Sequence, residues 1–335
     1  MSQLARSCEP QSFAVQRLHE HFDDAEGVAP NHFRRALVEP LSDFLSRPGK
    51  AFRARMVGLA WELCARRAGP PPELPLLVEA IHAGSLIVDD IEDGSAYRRG
   101  GRALHLEYGL PKALNAGCWL YFWSADLLAQ LELPPATELA LHRVIGKAML
   151  ACHEGQALDL GSSVLDLPQA EVEGLVVATT RLKTGKLFEL AAAVGAIAAG
   201  APSSAVRALA EFGMALGVGL QMLDDLGGLV STERCHKGHE DLLGARPTWP
   251  WAWAARLADA HTFARLCALE AQVRAGEQHP EHLASELRQL VEAHGRAHVS
   301  SWLAQAFNDL SQKFAPCRAL DEARREVEAL ERSYG

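Results

Sequence analysis

Residues 82–100 read HAGSLIVDDIEDGSAYRRG, and this stretch decides the predicted fold. An apolar run ends in the acids Asp89, Asp90 and Asp93, after which the chain turns basic. If residues 74–93 form one helix, Asp89 and Asp93 lie on the same face, one turn apart. Like charges at this spacing repel each other, and burying them without partners would be prohibitive. The stretch therefore predicts a helix that carries a polar stripe at its end.

The acidic stripe favours bound divalent cations. Its ligands would be carboxylate oxygens, without sulfur or paired histidines, and such ligands select a hard ion, magnesium first. The alternative is a helix end whose acids simply face water, since short motifs often match by chance.

A second acidic pair ends another long apolar helix, in the segment FGMALGVGLQMLDDLGG of residues 212–228. Gln221 and Asp224 lie one turn apart, and Asp225 adjoins them. The glycines of this helix predict close helix approach and no phosphate cradle, because no strand precedes them and no GK[ST] follows. Two acidic helix ends that face each other across a bundle would form a metal-lined mouth over an apolar shaft.

The composition indicates an acidic protein of 335 residues, 48% hydrophobic, which is enough for a substantial core. A net charge of −9 without a basic stripe argues against a nucleic-acid partner. Seven cysteines without a CxxC pair indicate reduced thiols in a cytosol. The first residues contain no apolar signal segment, and the apolar run at 190–202 is too short to span a bilayer. We therefore expect a cytoplasmic protein without stable membrane insertion.

Helical periodicity dominates the chain, and alternating β-branched runs are missing, which predicts an all-α protein. We expect a single domain over 1–335, with an N-terminal helix and loop over 1–30 and a mobile active-site loop over 231–247. The predicted helices lie near 12–24, 31–46, 50–68, 74–93, 110–131, 136–160, 168–184, 186–200, 203–230, 248–274, 281–294, 296–313 and 318–332.

Basic residues that could bind an anion come from three further segments. Lys50 and Arg53 share one face at a predicted helix start, where an anion is favoured. The alternative is that both are solvated surface charges. An arginine pair follows the first acidic cluster, in a Gly-flanked loop that could fold over an anion. In the third segment, Lys183 interrupts an apolar stretch beside a predicted helix break at Gly185.

Together these residues resemble the trans-isoprenyl diphosphate synthase family, also called polyprenyl synthetases, and in motif style its geranylgeranyl diphosphate synthases. The resemblance runs in order from about residue 46 to residue 250. It rests on Lys50 and Arg53 in PGKAFRA, His82, DDIED with RRG (Asp89, Asp90, Asp93, Arg98, Arg99), Gly155, Gln156 and Asp159 in HEGQALDL, Lys183 with Thr184, Gln221 with Asp224 and Asp225, and Lys237 with Asp241. It implies a single bundle of long helices around a deep central cavity, and a homodimer.

The resemblance also implies the reaction, in which an allylic prenyl diphosphate condenses with isopentenyl diphosphate to a longer all-trans prenyl diphosphate. Two or three Mg²⁺ ions would bind Asp89, Asp93, Asp224 and Asp225. The residues implied to be catalytic are Asp89, Asp90, Asp93, Arg98, Lys183 and Asp224. Those implied to bind the substrates are Lys50, Arg53, His82, Arg98, Arg99, Lys183, Thr184, Gln221 and Lys237.

Two departures from the family pattern fall on the isopentenyl diphosphate side. Gly228 stands where a third aspartate would follow the second pair. Ala51 and Ala54 replace an arginine and a proline of the first basic motif, and Arg55 could substitute for that arginine.

These departures leave two alternatives open. A class I terpene cyclase only ionises a diphosphate, and DDLGGLVSTE loosely resembles its second motif. A non-catalytic subunit of a heteromeric synthase is the other alternative, which the intact DDIED with both arginines makes the weakest of the three.

The product length is predicted from the residues one turn before Asp89. Family members that stop at farnesyl diphosphate commonly carry an aromatic side chain at the positions of Gly84 and Ser85. The small residues here predict a longer product, geranylgeranyl diphosphate or beyond. The aromatic residues of the next helix could form a floor or belong to the core, and they are Trp119, Tyr121, Phe122 and Trp123.

Overall fold

A computed structural model describes residues 10–23, 30–65, 69–230 and 240–334, and nearly all of these residues are helical. The predicted all-α class is confirmed. The α-helices are α1 (Pro10–Asp23), α2 (Pro30–Phe33), α3 (Glu39–Ser46), α4 (Phe52–Ala65), α5 (Glu73–Glu92), α6 (Leu104–Tyr108), α7 (Leu110–Ala129), α8 (Pro135–Gly161), α9 (Gln169–Thr180), α10 (Lys186–Ala198), α11 (Ser203–Val230), α12 (Trp249–Leu257), α13 (Ala260–Arg274), α14 (Pro280–Ser311) and α15 (Arg318–Tyr334).

The chain divides into two compact units. The first comprises the described residues of Met1–Gly58 and Ala68–His142, and the second those of Leu59–Arg67 and Arg143–Gly335. Two of the boundaries fall inside helices, one in α4 and one in α8. The single domain over 1–335 therefore stays a prediction, as does the mobility of the loop at 231–247, most of which lies outside the described residues.

In the first unit, α5 packs along α7, and two glycines set the distance between the helices. A Cβ atom on Gly84 would lie 2.7 Å from the carbonyl oxygen of Gly117, and one on Gly117 would lie 3.2 Å from the carbonyl oxygen of Gly84. Such distances leave no room for side chains, so the two backbones touch at this crossing.

In the second unit, α11 packs against α10 on one side and α14 on another. Cβ atoms on Gly213, Gly217 and Gly219 would lie 2.5–2.8 Å from Phe188, Gly185 and Leu303 respectively. The prediction that these glycines permit close helix approach is confirmed.

Two of the predicted helix boundaries are wrong. The predicted helix 248–274 is two helices, because the chain is extended at Ala258 and Asp259, and the Asp259 side chain accepts a hydrogen bond from the Thr262 N–H to begin α13. The predicted break near residue 295 is absent, since α14 runs continuously through Gly295. This glycine makes room for the Trp253 ring, which would lie 2.8 Å from an added Cβ.

Several short elements were not predicted, among them α6 and a 3-10 helix over Val164–Asp166. Residues Arg34–Val38 and Arg181–Gly185 are π-helical, and each continues directly into the following α-helix. The break predicted at Gly185 is thus a wide turn in a continuous helix. The arginine loop contains a two-stranded antiparallel hairpin, β1 (Tyr97–Arg98) and β2 (Gly101–Arg102).

Two sequence-level expectations about the whole chain can be compared with the described residues. The five described cysteines are free thiols, as expected: Cys64, Cys118, Cys152, Cys267 and Cys317. One helix there, α11, is long and apolar enough by composition to cross a bilayer, but 61% of its apolar window is buried inside the protein.

Candidate functional site

The first acidic pair lies at the end of α5, and its two members differ in burial. Asp90 is completely buried, and its Oδ1 atom accepts a hydrogen bond from Nε of Arg98 at 2.7 Å. Asp89 keeps 17% of its side chain exposed and lies 3.4 Å from Nη2 of the same arginine. Asp93 caps the helix and is exposed. Asp90 therefore anchors Arg98 most closely, while Asp89 and Asp93 keep part of their side chains exposed.

The charge on Asp90 depends on Arg98. Burial raises the pKa of the Asp90 carboxyl, and the hydrogen bond and charge of Arg98 oppose this effect. Among the described residues, Oδ2 of Asp90 has no hydrogen-bond partner. A buried carboxylate is tolerated only with a partner, so Asp90 and Arg98 act as one unit.

Arg47 holds the hairpin that presents Arg98 and Arg99, and sequence reasoning missed it. Its side chain is 8% exposed and donates to the carbonyl oxygens of Arg98 at 3.2 Å and Arg102 at 2.8 Å. Its other nitrogens bind Asp43. Gly101 makes room for this guanidinium, since a Cβ there would lie 2.9 Å from Arg47 Cζ. Nothing in the sequence distinguishes Arg47 from a surface arginine.

Arg53 and His82, which the resemblance implies to bind substrate, lie beside each other. Nη1 of Arg53 lies 3.0 Å from Nε2 of His82. Burial, followed by the charges of Arg53, Arg99 and Arg98, lowers the pKa of His82 well below its usual value. The imidazole is therefore neutral, and Nε2 must accept the hydrogen bond because a guanidinium has only donors. Three arginines thus concentrate positive charge around one neutral histidine.

The predicted helix face shared by Lys50 and Arg53 is wrong. Helix α4 begins at Phe52, and Ala51 before it has a φ of +49°, so Lys50 lies outside the helix. Arg55 lies over the Phe52 ring, 4.5 Å from its centroid, and donates to the Lys50 carbonyl oxygen.

Arg99 lies beside the same segment from the hairpin side. Its guanidinium is 5.4 Å from the centroid of the Phe44 ring, and a Cβ on Gly49 would lie 3.4 Å from Arg99 Cζ. Burial is the main cause that lowers the pKa of Arg99, although a guanidinium remains charged under all ordinary conditions. Arg99 therefore lies next to the residue that precedes Lys50.

Of the two predicted chain-length positions, Gly84 is part of the contact between α5 and α7. An added Cβ would also lie 3.1 Å from the Tyr121 ring. Ser85 is half-buried, and its hydroxyl donates to the His82 carbonyl oxygen at 2.8 Å. Trp119 and Trp123 stack on each other, and Phe122 is 77% exposed. Tyr121 is thus the aromatic residue that meets Gly84.

In the second acidic pair, neutral groups hold Asp225. Oδ1 of Asp225 accepts from the Gln221 side chain at 2.7 Å, and Oδ2 accepts from the Trp249 backbone N–H at 3.0 Å. Burial and the Asp241 carboxylate raise the pKa of Asp225 to about 7, against the effect of these hydrogen bonds. Asp225 therefore fixes the first residue of α12, while Asp224 stays partly exposed.

Lys183 and Thr184 lie on the π-helical segment Arg181–Gly185, and such wide turns often occur at functional sites. The Thr184 hydroxyl donates to Oε1 of Gln221 at 2.8 Å, which connects this segment with the second acidic pair. The Trp249 indole N–H donates to Thr180 at 3.0 Å, just before the segment begins. A continuous polar network thus ties the segment to α11 and α12.

One carboxylate oxygen joins two cations in the second unit. Oδ2 of Asp159 accepts from Nζ of Lys183 at 2.6 Å and from Nη1 of Arg246 at 3.0 Å. Sequence reasoning had noted Asp159 only as part of a motif and had assigned no role to Arg246. Their separation in sequence, 87 residues, gave no sign of the contact.

Two predicted features cannot be placed. Lys237 lies outside the described residues. No cluster of three or more metal-binding side chains occurs among residues 10–23, 30–65, 69–230 and 240–334. The carboxylates that remain partly exposed, Asp89, Asp93 and Asp224, supply the oxygen donors that suit a hard divalent ion.

A comparison with models of protein families gives one match. A family model described as polyprenyl synthetase matches residues 34–287. The chain belongs to the polyprenyl synthetase family. This family is known for divalent-metal-dependent catalysis.

Curated relatives in the polyprenyl synthetase family carry several product names. The chain is 33% identical over 160 residues to a geranylgeranyl diphosphate synthase of Sulfolobus acidocaldarius, which covers 47% of each protein. It is 30% identical over 257 residues to an octaprenyl diphosphate synthase of Haemophilus influenzae, which covers 76% of this chain and 69% of the relative. The chain spans about half the length of several curated relatives that it matches.

Solved structures of similar proteins support the fold. A heptaprenyl diphosphate synthase from Staphylococcus aureus superposes with a TM-score of 0.80 at 19% identity, covering 97% of this chain and 98% of the other. At this identity the likeness shows the fold alone.

Proposed function

We propose that this protein is a prenyltransferase that condenses an allylic prenyl diphosphate with isopentenyl diphosphate to a longer all-trans prenyl diphosphate. The observation that carries this proposal is the positive charge around His82. Arg53 donates to the neutral imidazole, and the charges of Arg98 and Arg99 also act on it. An enzyme that joins two diphosphates needs a second set of cations besides the set at Lys183, whereas an enzyme that only ionises one does not.

Each unit supplies cationic donors that would bind a diphosphate. In the first unit, Arg98 is fixed by Asp90 and by the hairpin that Arg47 holds. In the second unit, Lys183 lies on the π-helical segment near Gln221 and Thr184. Donors fixed before the substrate arrives stabilise the charge that develops on the departing pyrophosphate without reorganising.

Magnesium fits the proposed reaction through the chemistry of the available donors. Asp89 and Asp93 in the first unit, and Asp224 in the second, would offer carboxylate oxygens to Mg²⁺ ions, which when bound would stabilise the negative charge of a leaving pyrophosphate. Both oxygens of Asp225 already accept hydrogen bonds, so we assign it to positioning α12 before any role as a ligand.

The isopentenyl diphosphate would be bound by the basic residues of the first unit. Arg53, Arg99 and Lys50 would hold its diphosphate, with His82 keeping Arg53 in place. This orientation would present the double bond to the allylic carbon, and catalysis at this step is positioning. Apolar surroundings would keep water from the cationic carbon.

The decisive experiment is incubation of the purified protein with farnesyl diphosphate and Mg²⁺, with and without isopentenyl diphosphate. We expect a longer diphosphate only when both substrates are present. A hydrocarbon from farnesyl diphosphate alone would support a cyclase instead. No product from either mixture, together with co-purification of a second synthase subunit, would support a non-catalytic subunit.

A matched pair of lysines tests the residue assignment. Lys183→Met should reduce elongation at least 100-fold, because it removes a cation from the diphosphate. Lys186, three residues later, pairs with Glu189 at 2.8 Å, and Lys186→Met should leave elongation near the wild-type rate. Equal losses in both variants would count against the assignment.

We propose geranylgeranyl diphosphate or a longer chain as the product. The proposal rests on Ser85, a small half-buried residue one turn before Asp89. Ser85→Phe should shorten the product, as measured by chromatography of the dephosphorylated alcohols, and Ser85→Ala serves as the control. An unchanged length in Ser85→Phe would show that the growing chain runs elsewhere.

We further propose a cytoplasmic homodimer without stable membrane insertion. Four exposed apolar side chains on α6 and α7 support a partner surface: Leu106, Leu110, Leu114 and Phe122. Light scattering should give twice the monomer mass, and Leu114→Glu combined with Phe122→Glu should give a monomer. A wild-type monomer would exclude the homodimer.

A further inference from the structure

We propose that Asp159 is a positioning residue for the diphosphate-binding cations of the second unit. It shares one carboxylate oxygen between Lys183 and Arg246, and so holds both cations at one place before the substrate binds. This inference rests on the proposed function and adds to it the group that fixes the cations.

Three residues of α8 lie against Lys183. Cys152, Gly155 and Asp159 lie on one face of α8, since they are three and four residues apart. The Cys152 thiol is 3.8 Å from the Lys183 carbonyl oxygen, and a Cβ on Gly155 would lie 2.5 Å from the Lys183 nitrogen. Backbone and ammonium are therefore both fixed by the same helix.

Arg246 is fixed in the same way at its backbone. Its N–H donates to the Asp241 carbonyl oxygen at 3.1 Å. The preceding residue, Ala245, is fully buried with a φ of +50°, and its carbonyl oxygen accepts from the Val164 N–H at 2.8 Å. Because Val164 follows α8 closely in the chain, this contact keeps Arg246 near Asp159.

Both cations remain accessible to a ligand. The side chains of Lys183 and Arg246 are 30% and 20% exposed. An ammonium has three N–H donors and a guanidinium five, so each cation can bind Asp159 and a ligand at the same time. A flexible lysine loses much rotamer freedom on binding, and Asp159 removes part of that cost in advance.

The change in pyrophosphate affinity caused by Asp159→Asn distinguishes a positioning role of Asp159 from a purely electrostatic one. If Asp159 acted only through its negative charge, Asp159→Asn would tighten the binding of inorganic pyrophosphate, because an anion near the site is removed. If Asp159 positions the cations, the same change should weaken this binding at least tenfold. Calorimetry with inorganic pyrophosphate and Mg²⁺ measures the effect without any turnover. Unchanged or tighter binding would overturn the proposal.

Steady-state kinetics gives a second readout. Asp159→Asn should raise the KM for the allylic diphosphate at least tenfold, and Asp159→Glu, which keeps the charge, should recover part of the loss. The control is Glu286→Gln, which breaks an exposed pair of the same unit, Glu286 with Arg265 at 2.8 Å, and should leave both constants unchanged. A KM unchanged in Asp159→Asn would contradict positioning.

A double-mutant cycle tests the shared oxygen. Asp159→Asn and Arg246→Gln should each weaken pyrophosphate binding, and the double variant should lose less than the product of the two effects. Fully independent effects would overturn the coupling. Should Asp159→Asn unfold, as shown by its melting temperature, the Asp159→Glu variant provides the cycle instead.

The two proposals fail differently. If the wild-type protein does not elongate farnesyl diphosphate, the proposed function fails, whatever Asp159 does. If the wild type elongates and Asp159→Asn binds pyrophosphate as tightly as before, only the positioning role fails.

Discussion

In both acidic pairs, Asp89 with Asp90 and Asp224 with Asp225, the second aspartate fixes a neighbouring segment. The two pairs differ in whether its partners are charged or neutral. At the end of α5, Asp90 is completely buried against the charged Arg98. In α11, Asp225 is half-buried and accepts from two neutral donors, the Gln221 amide and the Trp249 N–H. In each pair the second carboxyl anchors the next functional segment, and the first stays partly exposed. Adjacent aspartates in a motif thus have separate tasks.

The pairs also differ in how their helices continue. Helix α5 ends at Glu92, so Asp93 is an exposed cap, four residues after Asp89. Helix α11 continues to Val230, so the equivalent position, Gly228, is buried inside the unit. A third acid can therefore face solvent after the first pair, whereas after the second pair it would be buried.

The largest expected effect is a loss of turnover when the first carboxyl of either pair is removed. Asp89→Asn and Asp224→Asn should each lower kcat about 1000-fold, because losing a metal ligand costs roughly 4 kcal/mol of transition-state stabilisation. Their melting temperatures should stay near the wild-type value. Turnover at saturating Mg²⁺, with differential scanning calorimetry as the control, measures both. A large loss of stability with normal turnover would reverse the comparison.

The second carboxyls should differ in stability. Asp90→Asn leaves Arg98 without its buried anion, which costs about 3–5 kcal/mol of unfolding free energy. Asp225→Asn loses one neutral hydrogen bond, which costs about 1–2 kcal/mol. Urea denaturation of both variants checks the difference. Equal losses would show that the charged and neutral anchors are equivalent.

Placing a third acid after the second pair, at position 228, should destabilise the fold. Gly228→Asp buries a carboxyl in α11 and should lower the unfolding free energy by roughly 1–3 kcal/mol. The matched variant Asp93→Gly, at the exposed position, should change stability by less than about 1 kcal/mol. Improved activity with unchanged stability in Gly228→Asp would show that the position is open to the site.

Glu270 shows how burial raises the pKa of a carboxyl whose oxygens accept no hydrogen bond from the described residues. It is completely buried, neither oxygen has a hydrogen bond among the described residues, and burial raises its pKa to about 8 against the attraction of Arg274. The folded state therefore holds a proton that the unfolded chain releases above its ordinary pKa of 4.5. The contribution of Glu270 to stability should be greatest at low pH and fall as pH rises, by about 1 kcal/mol between pH 7 and pH 8.

The variant Glu270→Gln should remove this pH dependence. Thermal melts between pH 5 and pH 9 measure it, and Glu277→Gln, in an exposed position, is the control. The same slope in Glu270→Gln as in the wild type would assign the pH dependence to another group.

The sequence predicted what periodicity and local motifs encode. The all-α class and the long helices such as α11 followed from helical periodicity. The resemblance assigned both Arg53 and His82 to substrate binding, and their side chains lie 3.0 Å apart. The sequence could not reveal Arg47 holding the hairpin or Arg246 on Asp159, because these contacts join residues 51–87 positions apart without any shared pattern. The continuous α14 was missed because a glycine in a helix looks like a break until its packing partner, Trp253, is known.

The crossing of Gly84 and Gly117 restricts how product size could be engineered. A larger residue at position 84 would have to push apart two helices whose backbones already touch, 2.7 Å from an added Cβ. Most larger residues at this position would therefore lower the yield of folded protein, and a screen would remove them before their effect on product length could be measured. Libraries aimed at new chain lengths should begin at Ser85 and Tyr121, where a change of volume does not first separate the scaffold.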